Sequence, residues 1–159
     1  MTTALLYLGI TLATYLGMEF MAWFTHKYVM HGFLWKWHED HHRPEMKNGF
    51  FEKNDRFFVV YALPSMTFFI VGTSTPHFWL TFVGLGILLY GITYFLIHDV
   101  YIHRRFKWFR HLDGWYSRAI LRAHGAHHAI QDKDGCESFG LLVVDNKYFK
   151  KRSEWKKDV

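Results

Sequence analysis

Residues 57–97 form an unbroken run of 41 residues without a single Asp, Glu, Lys or Arg. A helix needs about 20 apolar residues to cross the ~30 Å hydrocarbon core of a bilayer, so this run is about twice the length of one span. A hairpin of two spans is expected, broken at the turn-forming residues 72–77, where Pro76 resists continuation of a helix. Residues 1–25 are nearly as bare, with Glu19 their only charge. Together the two stretches cover 66 of 159 residues and hold 1 of the 33 charges. The average of 50% hydrophobic and 21% charged residues looks soluble only because it sums two unlike parts. A soluble helical fold would spread charge over every surface helix, and 32 aromatic residues exclude disorder.

Three spans are expected, near residues 4–24, 57–73 and 78–97. The second carries Pro64, which a buried helix tolerates when neighbours satisfy the freed carbonyl. The first lacks the basic leader of a signal peptide and runs straight into a histidine-rich segment. A fourth apolar segment at 115–123 contains Arg118 and Arg122, which suit an interfacial helix better than a span. All 19 basic residues fall in 26–56 and 99–159, none at the N-terminus or in the 72–77 turn. With three spans both basic segments lie on one face, which the positive-inside rule assigns to the cytoplasm, leaving the N-terminus outside. The expected fold is an all-α integral membrane bundle of three, at most four, transmembrane helices, as one domain over 1–159. A cytoplasmic helical cap (25–56 and 98–146) and a basic tail (147–159) complete it. The single cysteine, Cys136, excludes a disulfide framework and thiolate metal sites.

Ten of the 12 histidines repeat one pattern twice. His26 and His31 are H-x4-H, followed by His38, His41 and His42 as H-x2-H-H. His98 and His103, then His124, His127 and His128, repeat both spacings. Positions i, i+3 and i+4 share a helix face, so each H-x2-H-H presents three imidazoles from one stripe. H-x4-H is wider than an α-helical face allows. Either its two members straddle two metals, or a local π-turn brings them together. Ten nitrogens exceed the needs of one ion, so two metals sharing about five each is the economical arrangement. Imidazole leaves zinc, copper, iron and nickel open. A structural zinc site closes at four ligands and usually recruits cysteine, so the set better suits two irons with open positions for dioxygen. A histidine-rich metal-uptake or transport protein is the rival reading.

Four further groups are candidates for orienting these ligands: Asp40, Asp99, His111 and Glu19. Glu19 is the one ionisable side chain expected within the bilayer, which makes it a functional candidate by default.

The runs 19–44 (EFMAWFTHKYVMHGFLWKWHEDHHRP), 98–106 (HDVYIHRRF), 122–128 (RAHGAHH) and 134–141 (DGCESFGL) resemble the bacterial β-carotene hydroxylase family, within the fatty acid hydroxylase and sterol desaturase superfamily. The resemblance covers nearly the whole chain. It implies a non-haem di-iron monooxygenase of the bacterial inner membrane that hydroxylates C3 of a β-ionone ring, with dioxygen as co-substrate. β-Carotene would pass through β-cryptoxanthin to zeaxanthin. The ten motif histidines carry over as expected iron ligands. Relatives are usually described with four spans, where this sequence has three clear ones. An apolar carotenoid would arrive from the lipid between spans, and Phe20, Trp23, Phe24, Phe57, Phe58, Tyr94 and Phe95, near the metal-side span ends, are candidates to line its route. Two electrons must come from outside, because Gly84-Leu85-Gly86 sits inside a span and is no dinucleotide fingerprint. A ferredoxin-like donor is the expected partner, steered by the basic face, with membrane lipid a second and nucleic acid none. A fatty acyl or sterol hydroxylase or desaturase is the nearest enzymatic alternative.

Overall fold

The structure, a computed structural model, describes residues 2–108 and 112–150. His111 and residues 151–159 of the basic tail lie outside them. The described residues contain helices and turns and no strand. Helix α1 (Thr2–Phe24) continues into a π-helical segment, Thr25–Phe33, and a kink at Gly32 turns the chain into α2 (Trp35–His42). After two short 3-10 turns come α3 (Arg56–Ser74) and α4 (Trp79–Tyr94), and α4 continues into a second π-helical segment, Phe95–Ile102. Helix α5 (Trp115–His127) follows.

Among the described residues, three helices are long and apolar enough to cross a membrane: Thr2–Phe33, Lys53–Ser74 and Trp79–Ile102. Two of them extend beyond the expected spans at the histidine end, where the π-helical segments prolong α1 and α4 past the last apolar turn. Their large apolar side chains point outward, among them Leu5, Leu16, Leu63 and Ile70, whereas Thr11 and Ser65 are buried. This inversion is what a hydrocarbon solvent selects, since apolar burial supplies little drive there and packing and hydrogen bonds hold helices together.

α4 lies between α1 and α3 and packs against both. Its glycines make that possible. A Cβ on Gly84 would stand 2.9 Å from the Ser65 carbonyl oxygen on α3, and one on Gly86 would stand 2.8 Å from the Thr11 carbonyl oxygen on α1. The Gly-Leu-Gly run therefore sets helix spacing on two faces. Ser65 Oγ donates to the Gly84 carbonyl at 2.9 Å across the α3–α4 seam. At the histidine end, α2, α5 and the segment 128–150 form a cap over the bundle.

Candidate metal centre

Backbone bonds at the ends of both π-helical segments run from residue i to i−5, as Leu34 to Val29 at 3.0 Å and His103 to His98 at 2.9 Å. That widened turn puts positions five apart on one face. It decides between the two readings of H-x4-H: His26 and His31 meet at one site, and His98 and His103 meet at another. The first site gathers His26, His31, His38, His42 and His127. The second gathers His41, His98, His103 and His124. The His128 ring lies 4.8, 4.9 and 4.5 Å from those of His41, His103 and His124, at the border of the second group. The sites adjoin, with the His42 and His128 rings stacked at 4.3 Å between them. Each H-x2-H-H therefore serves both sites. His41 crosses from the first half of the chain to the second site, and His127 crosses from the second half to the first.

The second nitrogen of each ring explains how the rings are aimed. Nδ1 of His26, His31, His42 and His127 donates to the backbone carbonyls of Phe139, Lys133, Ile130 and Glu137, at 2.9, 2.9, 3.0 and 2.9 Å. His38 Nδ1 meets Asn54 Oδ1 at 2.7 Å, His41 Nδ1 meets Glu52 Oε2 at 2.6 Å, and His98 Nδ1 meets Asp99 Oδ2 at 3.2 Å. Such bonds fix the tautomer and leave Nε2 as a bare acceptor.

Those acceptors face each other: His26 to His38 at 3.1 Å, His31 to His127 at 3.2 Å and His41 to His98 at 3.1 Å. Paired lone pairs at that distance repel unless a cation lies between them. Metal–nitrogen bonds of about 2.1 Å at right angles put neighbouring nitrogens about 3.0 Å apart, against about 3.4 Å in a tetrahedron. Buried Nε2 atoms of His42 and His128 have no hydrogen-bond partner, which a metal would also satisfy. The donor set fits metal, and fits sets larger than a closed four-coordinate site.

Electrostatics prepares the rings for it. Burial, reinforced by repulsion from neighbouring imidazoles, pushes His38, His41, His103, His124 and His128 well below the ordinary histidine range. Burial likewise lowers His42 to about 4 and His127 to about 3. These seven imidazoles are therefore held in the neutral form, which is the form that can bind a metal.

The remaining candidates fall in different places. Asp99 holds His98 and is itself bound by Arg105 at 2.6 Å. Arg105 also bridges Asp55 and the Phe50 carbonyl, tying the 50–55 loop to the second site. Asp40 does not reach a histidine ring nitrogen. It follows His38 by two residues, which points it to another helix face, and its Oδ2 accepts the Lys53 backbone N–H at 2.7 Å. Glu19 does not touch the histidines either. Its carboxylate takes the Tyr90 hydroxyl and three backbone N–H groups of residues 141–143. His111 lies outside the described residues. Glu52 and Asn54 were not singled out in the sequence, where nothing but their polarity between two histidine runs marks them. The four carbonyls have no side-chain signature at all.

A cavity of about 1010 Å³ opens among α1, α3 and α4 and ends on His26, His98 and His124. Phe57, Phe58, Tyr94 and Phe95 line it. Phe20, Trp23 and Phe24 do not: Phe20 and Phe24 face outward, and Trp23 borders a separate pocket of about 430 Å³ beside Lys27. From the first spanning helix, Thr2–Phe33, only Met18, Ala22, His26 and Met30 reach the cavity, so these three rings lie on its other faces.

The geometry agrees with a sequence family. A model of the fatty acid hydroxylase family matches residues 11–148. The chain belongs to this family. The protein named beta-carotene hydroxylase from Pantoea ananas is 42% identical over 136 residues, covering 85% of this chain and 75% of its own. One of the same name from Pseudescherichia vulneris is 41% identical over 138 residues with the same coverage. The chloroplastic beta-carotene 3-hydroxylase 1 of Arabidopsis thaliana is 38% identical over 130 residues, 80% of this chain and 41% of its own. No solved structure matches the chain. Within the fatty acid hydroxylase family, then, this member combines, among its described residues, three helices long and apolar enough to span a membrane with adjoining groups of five and four histidines and the His128 ring beside them.

Proposed function

We propose that the protein is a membrane-embedded di-iron monooxygenase that hydroxylates C3 of a β-ionone ring, taking β-carotene to β-cryptoxanthin and then zeaxanthin. The observation that carries this reading is the cavity that runs from between the spanning helices to the histidine groups. It offers a lipid-dissolved polyene a path to the metals without crossing water. The names of the bacterial relatives support the carotenoid as substrate.

The two histidine groups would hold two iron ions. Bound iron supplies an oxidant from dioxygen and two electrons, strong enough for a C–H bond that no side chain can attack. One oxygen atom enters the substrate and the other leaves as water, with two protons and two electrons consumed. The chain's own part is placement and exclusion. Phe57, Phe58, Tyr94 and Phe95 form an apolar wall against which a ring packs, and the same wall keeps water from the reacting carbon. The electrons come from a separate ferredoxin-like donor, steered to the basic face that the cap and the tail form together. The cap and metal centre lie in the cytoplasm and the N-terminus outside, by the distribution of Lys and Arg.

Expression in a bacterial host that accumulates β-carotene, with pigment chromatography, tests the reading. Cryptoxanthin and zeaxanthin are the expected products. Unchanged β-carotene, with iron and a working donor present, would overturn it, and parallel assays with fatty acyl and sterol substrates separate the alternative chemistry.

A further inference from the structure

The two sites are oriented by different parts of the chain. At the first, four of five imidazoles donate to backbone carbonyls of one short stretch: Ile130, Lys133, Glu137 and Phe139. At the second, His41 and His98 are held instead by the carboxylates of Glu52 and Asp99. Residues 130–143 thus act as a strap that serves one site. A strap of carbonyls has no rigid helix or sheet to keep its spacing, so something must fix its position.

That fixture is in the membrane helix. Glu19 Oε1 accepts the backbone N–H groups of Leu141, Leu142 and Val143 at 3.0, 2.9 and 3.0 Å, and Oε2 accepts the Tyr90 hydroxyl at 2.7 Å. Three successive amides converging on one oxygen form an anion nest. Bonds to a carboxylate are roughly twice as strong as neutral ones, and a low dielectric strengthens them further. The nest begins two residues after Phe139, the carbonyl that holds His26, and Glu19 precedes His26 by seven residues on the same helix. α1 therefore carries both a first-site ligand and the anchor of the strap that aims it. Gly140 lets the turn close: a Cβ there would stand 2.8 Å from the Val143 carbonyl and 3.2 Å from Glu19 Oε1.

We infer that Glu19 is a positioning residue for the first metal site, acting through the strap whose carbonyls orient four of its five imidazoles. The inference rests on both histidine groups holding metal, and not on the identity of the substrate. Detergent-purified protein loaded anaerobically with ferrous iron, then analysed for iron per chain by mass spectrometry, tests it. Wild type is expected to hold two ions, and Glu19→Gln one. Adding His98→Ala to Glu19→Gln should remove the remaining ion, whereas adding His31→Ala should leave it. Gly140→Ala, which crowds the nest and keeps the charge, should also drop to one if Glu19→Gln does not fold. Two ions retained in both variants, or loss of both ions together, would overturn the inference. Fewer than two ions in wild type would overturn the two-metal reading and the inference with it.

Discussion

A neutral histidine donates from one ring nitrogen and accepts at the other, so the group that takes the Nδ1 proton decides where Nε2 points. Asn54, Glu52, Asp99 and four strap carbonyls make that choice for seven of the ten motif histidines. Removing one such partner leaves the ligand in place but unaimed. Glu52→Ala is therefore expected to weaken metal binding at the second site by about 10–100-fold, measured by chelator competition, with the first site unchanged. The same burial makes the metal-free protein sensitive to acid. His42 and His127 titrate near 4 and near 3 when folded, against 6.5 in the ordinary state. Between those values the unfolded chain binds protons that the folded chain refuses, so stability is complete above 6.5 and falls as the pH drops toward 4. Thermal unfolding of chelator-treated protein should show a level Tm above about pH 7 and a decline by about pH 5; a flat profile across that interval would contradict it.

At the scale of elements, the widened turns and the close helix seams do most of the positioning. The repeated H-x4-H spacing was visible in the sequence, and so was the choice it posed between a π-turn and a pair divided between metals. Backbone bonds spanning five residues settle it in favour of the π-turn in both halves of the chain. The exchange of His41 and His127 was not visible, because helix periodicity places three residues on a stripe and says nothing of what the stripe faces. The seams explain a second motif. Gly84 and Gly86 were recognisable as no nucleotide fingerprint, but their task depends on which backbones approach them. Gly86→Val should push α4 from α1 and cost about 1–3 kcal/mol of stability, read as lost monodisperse protein on detergent gel filtration and a lower Tm.

For the whole molecule, the cavity among the spanning helices ends on His26, His98 and His124, and under the proposed function its cross-section is where substrate size is tested. Gly91 borders it, and a Cβ there meets nothing within 4 Å. Gly91→Phe is expected to fill this space, cutting β-carotene conversion at least ~10-fold while iron stays at two per chain, since small misplacements of a reacting carbon cost rate steeply. Orientation is tested with Thr75→Cys in a Cys136→Ser chain: an impermeant maleimide should label the α3–α4 turn in intact cells, and labelling only after lysis would reverse the proposed topology. Residue type and local spacing alone were enough for the membrane class, the three candidate spans and the ten-histidine pattern, because hydrocarbon length and ligand chemistry act at that level. The gathering of those histidines into two adjoining groups, the carbonyls and carboxylates that aim them, and the cavity that ends on them belong to the tertiary structure. Many of those contacts join groups far apart in the chain, such as His41 with His98, 57 residues away, and His26 with Phe139, 113 residues away, and several use backbone oxygens that every residue carries alike.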